Sequence, residues 1–272
     1  MNIIEYTFFQ NALAGAFLAS ILCGFIGTYI VTRRLVFISG GITHASFGGI
    51  GIGVFAGINP ILSAMIFAIL SAFGVQWTSS RKDIRQDSAI AMFWTFGMSV
   101  GIICCFLTPG FMSDLSSYLF GSILTISQTD LWLLSGITVF TAMLFALFFR
   151  AIRAVAFDPV FARSLRLPVA GIEYLMMVII ATTIVATLRL VGIVLVISML
   201  TIPQTTALLF TRRMSGMIAF SILFGCLCCM LGLALSYWFN VPSGAAIICI
   251  SIVNYVVLRT IKSVVFRFKK KR

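Results

Sequence analysis

The sequence predicts an all-α fold, a polytopic membrane helical bundle of eight or nine transmembrane helices, with the amino terminus outside and the carboxyl terminus in the cytoplasm. Hydrophobic residues make up 61% of the 272 residues and charged residues 10%, and the mean hydropathy is +1.13. These values lie outside the range of soluble globular proteins. The apolar residues are also grouped into runs that suit membrane helices, and the basic residues lie between alternate runs.

Nine apolar runs are candidates to cross the hydrocarbon core, which takes about 20 helical residues. In chain order they cover residues 11–31, 42–57, 60–78, 88–107, 130–149, 171–188, 190–210, 215–238 and 244–261. The second run is short, and only Arg189 separates the sixth from the seventh. Eight helices with one broken or re-entrant segment is therefore an open alternative. No second soluble domain or long linker appears, so residues 1–272 are predicted to form a single transmembrane domain.

The positions of the basic residues predict the orientation, because short loops that carry Lys and Arg stay on the cytoplasmic side. With the amino terminus outside, every basic residue except Arg189 falls in a cytoplasmic loop or in the carboxyl-terminal tail. Topology and attraction to anionic membrane lipid therefore explain the net charge of +12, and a nucleic-acid partner is not needed. The longest segments between runs are an outer loop at 108–129 and an inner segment at 150–169.

Motifs for soluble enzyme chemistry are missing or weak. There is no GxxxxGK[ST] loop for ATP phosphates. The seven cysteines are an odd number and all lie within the apolar runs, which favours apolar packing, with a soft-metal site as the minor alternative. A hydrolase-like GxSxG occurs at Gly97, Ser99 and Gly101, and His44 is the only imidazole that could act as its base. Close packing of helices through small residues explains this motif more simply.

His44 is the only histidine in the chain, and it lies in the glycine-rich second run. An ionisable group inside a membrane helix is by default a candidate functional residue. Gly41, Ala45, Gly49 and Gly53 form a helix face with almost no side-chain volume, which must pack closely against a neighbour. Gly40, His44 and Gly48 form the adjoining stripe. The residues alone leave two interpretations open: a ligand for a Zn, Mn or Fe ion, or a histidine that hydrogen-bonds a neighbouring helix.

Several separate segments, in the right order, resemble the metal-type permease family of ATP-binding-cassette importers. They are "RRLVFISGGITHASFGGIGIG", "DSAIAMFWTFGMSVGI", "SYLFGSIL", "VGIVLVISMLTIPQTTALLF" and "VPSGAAIICI". The resemblance implies a multi-pass permease of the bacterial cytoplasmic (inner) membrane that moves zinc, manganese or iron. It implies a homodimer of permease chains, two cytoplasmic ATPase subunits that hold ATP and Mg, and an extracytoplasmic metal-binding protein. The chain itself would be no enzyme and would hold no resident cofactor.

The resemblance also implies roles for individual residues. The family's metal pathway is associated with the histidine that corresponds to His44 and, in some members, with an aspartate one turn earlier. That position is Gly40 here, so the carboxylate is missing, which slightly favours zinc over manganese. The inner segment 150–169 resembles the cytoplasmic helix that the ATPases grip. Its candidate coupling residues are Phe157, Asp158, Phe161, Ala162, Leu165 and Arg166, the last standing where a glycine is expected.

Other polar residues and other functions stay open. Pro203 favours a broken helix, and Pro203 and Gln204 could line the pathway or only pack against neighbouring helices. Glu173 is predicted to pair with a nearby arginine. A siderophore-type or cobalamin-type permease is the first alternative, and ten membrane spans would favour it. An intramembrane serine hydrolase that uses Ser99 and His44 is the second.

Overall fold

The structure, a computed structural model, describes residues 7–80, 84–108 and 126–270, which form α-helices and no strand. The helices are α1 Thr7–Thr32, α2 Val36–Phe55, α3 Pro60–Ser80, α4 Gln86–Leu107, α5 Gln128–Phe157, α6 Pro159–Ser164, α7 Val169–Met199, α8 Ile202–Ala207, α9 Met214–Phe239 and α10 Ser243–Lys270. The predicted segment "SYLFGSIL" and most of the predicted outer loop lie outside the described residues, as do Arg81, Lys82, Lys271 and Arg272.

Local sequence accounts for several helix ends. Ser127 and Asp130 form a reciprocal capping box that starts α5. Proline, which is tolerated in the first helical turn, begins α3 and α6. Asn240 adopts a left-handed conformation with φ 51° and ends α9.

Eight of the described helices are long and apolar enough to cross a membrane, which confirms the polytopic helical bundle. They are α1, α2, α3, α4, α5, the first part of α7 over Val169–Leu188, α9, and α10 over Ser243–Val264. α2 is the most enclosed, with 78% of its membrane window buried, whereas the same measure for α4 is 22%. The helix that carries the only histidine is therefore central in the bundle.

The seventh predicted run, 190–210, is not a full-length helix. α7 continues without interruption past Arg189 and then kinks at Gly192, which has φ 74° and ψ 166°. The segment Val191–Ala207, made of the second part of α7 and the short α8, is shorter than a normal span. Over the described residues the count of nine full spans is thus corrected to eight plus one broken segment, the alternative that the sequence left open.

The broken segment folds back toward the end of α1. Glu173, near the beginning of α7, pairs with Arg33 just beyond α1, and about 28 Å of helix separates Glu173 from Gly192 at about 1.5 Å per residue. Beyond the kink the chain again meets the later half of α1, because Gln204 donates a hydrogen bond to the carbonyl oxygen of Cys23 at 2.8 Å. The segment therefore returns across much of the bundle after Gly192.

Candidate functional site around His44

α2 and α4 touch through their backbones. A Cβ atom built on Gly48 would lie 2.6 Å from the carbonyl oxygen of Gly97, and one built on Gly51 would lie 2.6 Å from that of Gly101. Both distances are far shorter than a normal van der Waals contact. Glycines at these positions thus let the two helices approach more closely than larger residues would allow.

The glycine-rich face of α2 is divided between two neighbours. Gly41 meets α4, where its Cβ would lie 2.4 Å from a methyl carbon of Ile90. Gly49 meets α3, where its Cβ would lie 2.6 Å from the Cα atom of Ala64. Ala45 is completely buried and faces Gly97. The low-volume face therefore packs against both α3 and α4.

His44 lies between these contacts and is half-buried. Its imidazole stacks on the indole of Trp94 of α4, with the ring centroids 4.4 Å apart and the planes 5° from parallel. The Nδ1 atom of His44 is buried and has no hydrogen-bond partner. The predicted helix-to-helix hydrogen bond is thus not seen at Nδ1, and this nitrogen has no partner among the described residues.

Gly40, one turn before His44, is the position in this stripe with room for a side chain. A Cβ atom there would meet only the Cδ1 atom of Ile197 at 3.9 Å, an ordinary contact distance. Gly40 is itself buried, and Ile197 belongs to the part of α7 beyond the kink. The broken segment therefore lies directly beside the turn that precedes the histidine.

Strong metal donors are sparse within one chain. Among the described residues, no group of three or more His, Cys, Asp or Glu side chains could hold a metal ion. Weaker oxygen donors that are buried and have no hydrogen-bond partner are present, and they include Thr183 Oγ1, Ser198 Oγ and Gln204 Oε1. One chain thus offers His44 as a single imidazole donor, and a fuller ligand set needs water or another chain.

Gln204 and Pro203 are both buried in the short helix α8. The Nε2 atom of Gln204 donates to the carbonyl oxygens of Cys23 and Met199, at 2.8 Å and 3.1 Å. These bonds tie the broken segment to α1 and to the end of α7. Pro203 lies in the first turn of α8, so its missing N–H interrupts no helical hydrogen bond.

The inner segment forms a turn and a short helix. Asp158 caps α6, and its Oδ1 atom accepts hydrogen bonds from the backbone N–H groups of Val160 and Phe161, each at 2.9 Å. Ala162 is fully buried and packs with Val155 of α5 and Val169 of α7. Phe157, Phe161 and Leu165 are 54%, 56% and 54% exposed. The segment around α6 is therefore anchored by one small residue and presents apolar side chains outward.

Arg166 occupies the position where the family resemblance led us to expect a glycine. Its φ of 57° is in the left-handed region that glycine adopts most easily. The N–H of the next residue, Leu167, reaches back to the carbonyl oxygen of Ala162 at 3.2 Å and closes the turn. The turn geometry is thus kept with an arginine in a strained backbone conformation.

Glu173 pairs with an arginine, as the sequence predicted. Its carboxylate forms an ion pair with Arg33 and accepts a hydrogen bond from Gln76 Nε2 at 3.2 Å. These contacts join the beginning of α7 to the ends of α1 and α3. Glu173 is therefore engaged in helix packing.

Ser99 lies away from the packed side of α4. It is exposed, whereas Gly97 and Gly101, two residues on either side of it, are buried against α2. The GxSxG spacing thus coincides with close helix packing through its glycines. His44 stacks on Trp94, five residues before Ser99.

The roles of two residues that organise this region were not predicted from the sequence. Trp94 is one aromatic residue among many in apolar runs, and no spacing rule connects it to His44. Gly192 offered a weak signal, because an isolated glycine in a helical pattern can mark a break. Pro203 drew attention to a later point in the same segment, and the sharp kink lies at Gly192.

Comparisons with known proteins agree over almost the whole chain. The model of the ABC 3 transport family matches residues 5–262. The chain is 40% identical over 254 residues to the uncharacterized membrane protein slr2045 of Synechocystis sp., covering 93% of this chain and 90% of that protein.

A second curated relative and one solved structure carry more descriptive names. The manganese transport system membrane protein MntC of Halalkalibacterium halodurans is 34% identical over 250 residues, covering 92% of this chain and 86% of that protein. A chain of the structure of PsaBC from Streptococcus pneumoniae in complex with Fab superposes with a TM-score of 0.84 at 29% identity, covering 93% of this chain and 91% of that chain.

Proposed function

Because the chain belongs to the ABC 3 transport family, we propose that it provides the membrane pathway of an importer for a first-row divalent transition-metal ion. The chain is a multi-pass bacterial membrane protein and a metal-type permease subunit of an ATP-binding-cassette transporter, and it is not itself an enzyme. The ion, the pathway residues and the partner subunits are the proposed part.

The observation that carries the pathway proposal is the position of His44. The imidazole lies in the most enclosed membrane helix, and one of its nitrogens is buried without a partner. A buried polar atom without a hydrogen bond costs free energy. Binding of a metal ion at that nitrogen would offset this cost, and so would a rotation of the ring that brings the nitrogen to a metal ion. A neutral imidazole is a good ligand for zinc, iron and manganese ions. We assign to His44 the role of a metal ligand on the pathway.

Two ions are candidates for the cargo. Manganese is favoured by the names of several relatives, including the manganese transport system membrane protein MntC of Halalkalibacterium halodurans. Zinc is favoured by the donor set, because His44 is an imidazole and Gly40 supplies no carboxylate oxygen. Manganese prefers oxygen-rich sites. Transport of zinc would therefore agree with the donors of this chain, whereas transport of manganese would indicate that selectivity depends little on its own residues.

We propose the partners from the metal donors of one chain, from its exposed apolar side chains and from its family. Two copies of the chain would bring two copies of His44 to the pathway, which answers the shortage of strong donors in one chain. Two cytoplasmic ATPases, with their ATP and Mg, would dock on the exposed apolar side chains Phe157, Phe161 and Leu165. An extracytoplasmic metal-binding protein would deliver the ion.

The structure offers a direct route from the docking segment to the bundle. α6 is joined to α7 by four residues, and Ala162 of α6 packs on Val169 at the beginning of α7. One turn further on, Glu173 is paired with Arg33. A displacement of α6 by the ATPases would therefore move the start of α7 and, through the ion pair, the end of α1.

The test is metal accumulation in a host that lacks its own importers. The chain is expressed with its ATPase and binding protein, and cellular manganese, zinc and iron are measured by mass spectrometry. Intact chain should raise one metal, and His44→Ala should lower that accumulation by at least about tenfold, a loss typical of disturbed metal ligation. Ser99→Ala is the matched control on the neighbouring helix and should import normally.

Each alternative gives a different result. Equal accumulation in the intact chain and His44→Ala would show that His44 is only a packing residue. Loss of function in Ser99→Ala would support the intramembrane hydrolase. A siderophore-type or cobalamin-type permease would import a chelate but no free ion; its expected ten spans contrast with the eight full-length helices of the described residues.

A further inference from the structure

Metal-binding histidines need a fixed ring. An imidazole binds a metal through a lone pair in the plane of the ring, so rotation of the ring misdirects the lone pair. In most protein sites the second ring nitrogen donates a hydrogen bond to a carboxylate or carbonyl oxygen, which fixes the ring. Neither ring nitrogen of His44 has such a partner among the described residues, so the point holds whichever nitrogen binds the ion. The usual means of orienting a metal-binding imidazole is therefore missing here.

Trp94 supplies the restraint that the hydrogen bond does not. Its indole lies parallel to the imidazole, 5° between the planes and 4.4 Å between the centroids, which is the offset stacking that aromatic pairs favour. A stacked partner covers one face of the imidazole and leaves the in-plane lone pairs free. Stacking on Trp94 and coordination of a metal by His44 are thus compatible at the same time.

Contacts on either side of the stack hold the two rings in register. Toward the start of the helices, Ile90 of α4 fills the notch at Gly41 of α2. Toward their ends, Gly97 touches Ala45, its Cβ position lying 2.6 Å from the Cα atom of Ala45. The stack is therefore bracketed by close contacts that resist sliding of one helix along the other.

We propose that Trp94 is a positioning residue for the metal ligand: it holds the plane of the His44 imidazole so that the ring meets a first-row divalent ion in one orientation. This inference rests on the proposed role of His44 as a metal ligand. It adds a residue on a second helix, and it makes the α2–α4 pair, rather than α2 alone, the unit that presents the ligand.

The single histidine serves as the probe for the test. With ring-¹⁵N-labelled histidine and a purification tag free of histidine, the full-length chain in lipid bilayers gives ring signals from His44 alone. Zn²⁺ is the probe ion because it is diamagnetic. Titration gives its affinity, and the line shape of the nitrogen signals reports whether the ring has one orientation.

Four proteins are compared: the intact chain, Trp94→Phe, Trp94→Leu and Trp132→Leu. Phenylalanine keeps an aromatic face, leucine removes it, and Trp132 is a 73% exposed residue that controls for loss of a tryptophan elsewhere. Zn²⁺ should bind Trp94→Phe and Trp132→Leu nearly as tightly as the intact chain. Trp94→Leu should bind roughly tenfold more weakly, as when other orienting contacts are lost, with broadened or doubled ring signals.

The outcomes separate this inference from the proposed function. If Zn²⁺ leaves the His44 signals of the intact chain unchanged, His44 is not a ligand and both proposals fail. If the intact chain responds and Trp94→Leu binds equally tightly with the same line shape, the positioning role alone is overturned. A Trp94→Phe variant as weak as Trp94→Leu would also contradict the stacking argument.

A second measurement covers the case in which Trp94→Leu does not fold. A chain with Trp77, Trp132 and Trp238 all replaced by phenylalanine keeps Trp94 as its only tryptophan. Zn²⁺ coordination by a stacked imidazole should change the indole fluorescence at the same concentrations that move the His44 nitrogen signal. A nitrogen shift without any change in emission would show that the indole does not sense the imidazole, which overturns the proposal.

Discussion

Gly48 of α2 and Gly97 of α4 are in direct backbone contact, since a Cβ atom on Gly48 would lie 2.6 Å from the carbonyl oxygen of Gly97. The same kind of contact recurs one turn further along, between Gly51 and Gly101. Close approach of this kind depends on small residues in both helices. Because His44 and Trp94 lie one turn before the first of these contacts, the packing of two glycines sets the geometry of the candidate site.

Gly48→Ala should destabilise the protein and lower metal uptake. The added methyl group has no space, so α2 and α4 must separate or shift, and overpacking of a well-packed region typically costs about 1–3 kcal/mol. The apparent melting temperature in detergent should therefore fall. Metal uptake should fall with it, because the stack of His44 on Trp94 depends on the helix separation.

Two other glycines provide matched controls for that change. Gly136 of α5 has no atom within 4 Å of its Cβ position, and Gly40 has only Ile197 Cδ1 at 3.9 Å. Gly136→Ala and Gly40→Ala should leave the melting temperature unchanged or slightly raised, since alanine favours helices more than glycine. Equal losses in all three variants would contradict the packing account.

Gly40→Asp should shift the ion preference toward manganese. The Cβ position at Gly40 is open, and it lies one turn before His44 on the same stripe of α2. A carboxylate there adds an oxygen ligand, which manganese prefers, to a site that otherwise offers an imidazole. The ratio of manganese to zinc accumulated by cells should rise relative to the intact chain.

Gly40→Asn is the control for the size of the new side chain. It has nearly the same shape as aspartate and no charge, so it should raise the ratio much less. If both variants give the ratio of the intact chain, selectivity does not depend on this turn of α2. The delivering protein would then be its main source.

Much of the fold could be predicted because a bilayer imposes strong rules on sequence. Runs of about 20 apolar residues and basic loops between them identify membrane helices without knowledge of packing. The ion pair of Glu173 was predictable for a similar reason, since an isolated charge near the membrane needs a partner. The low-volume face of α2 could be predicted because its small residues recur every four positions.

Contacts between distant segments could not be predicted from the sequence in this way. The stack of Trp94 on His44 joins residues that are far apart in the sequence and follows from how α4 packs on α2. The kink at Gly192 depends on a single backbone conformation inside an apolar run. Hydrophobicity does not distinguish a straight helix from one that turns back, so the count of spans was left open.

Glu173→Gln should lower thermal stability because it leaves the guanidinium of Arg33 without its counter-charge. The side chains of Arg33 and Glu173 are 19% and 13% exposed, so the pair is partly shielded from water. Breaking a fully buried pair costs about 3–5 kcal/mol, and partial exposure reduces this to about 1–3 kcal/mol here. Thermal unfolding in detergent measures the loss.

The double variant Arg33→Gln with Glu173→Gln distinguishes pairing from general damage. Removing both charges should cost less than the sum of the two single changes, because neither partner is left alone. Additive losses would show that the two side chains act independently. Metal uptake in the same variants shows whether the contact between α7 and α1 also contributes to transport.

Arg166→Gly should stabilise the turn after α6. Arg166 has φ 57°, a conformation that costs a residue with a side chain about 1–2 kcal/mol and costs glycine little. The greater freedom of glycine in the unfolded chain offsets part of the gain, so the melting temperature should rise by a small amount. Arg166→Ala removes the same charge without relieving the backbone and should show no rise.

Gly192→Ala should disrupt the broken segment. Gly192 has φ 74° and ψ 166°, a conformation that is almost restricted to glycine, so an alanine there adds strain of about 1–3 kcal/mol. The chain would be biased toward a straight helix, which carries Ile197 away from Gly40 and Gln204 away from α1. We expect lower thermal stability and a loss of metal uptake larger than the loss of folded protein.

Gly171→Ala is the control in the same helix, since Gly171 has ordinary helical geometry and only Pro168 Cβ at 4.0 Å from its Cβ position. Normal uptake by Gly192→Ala, alongside normal uptake by Gly171→Ala, would show that transport does not require the kink.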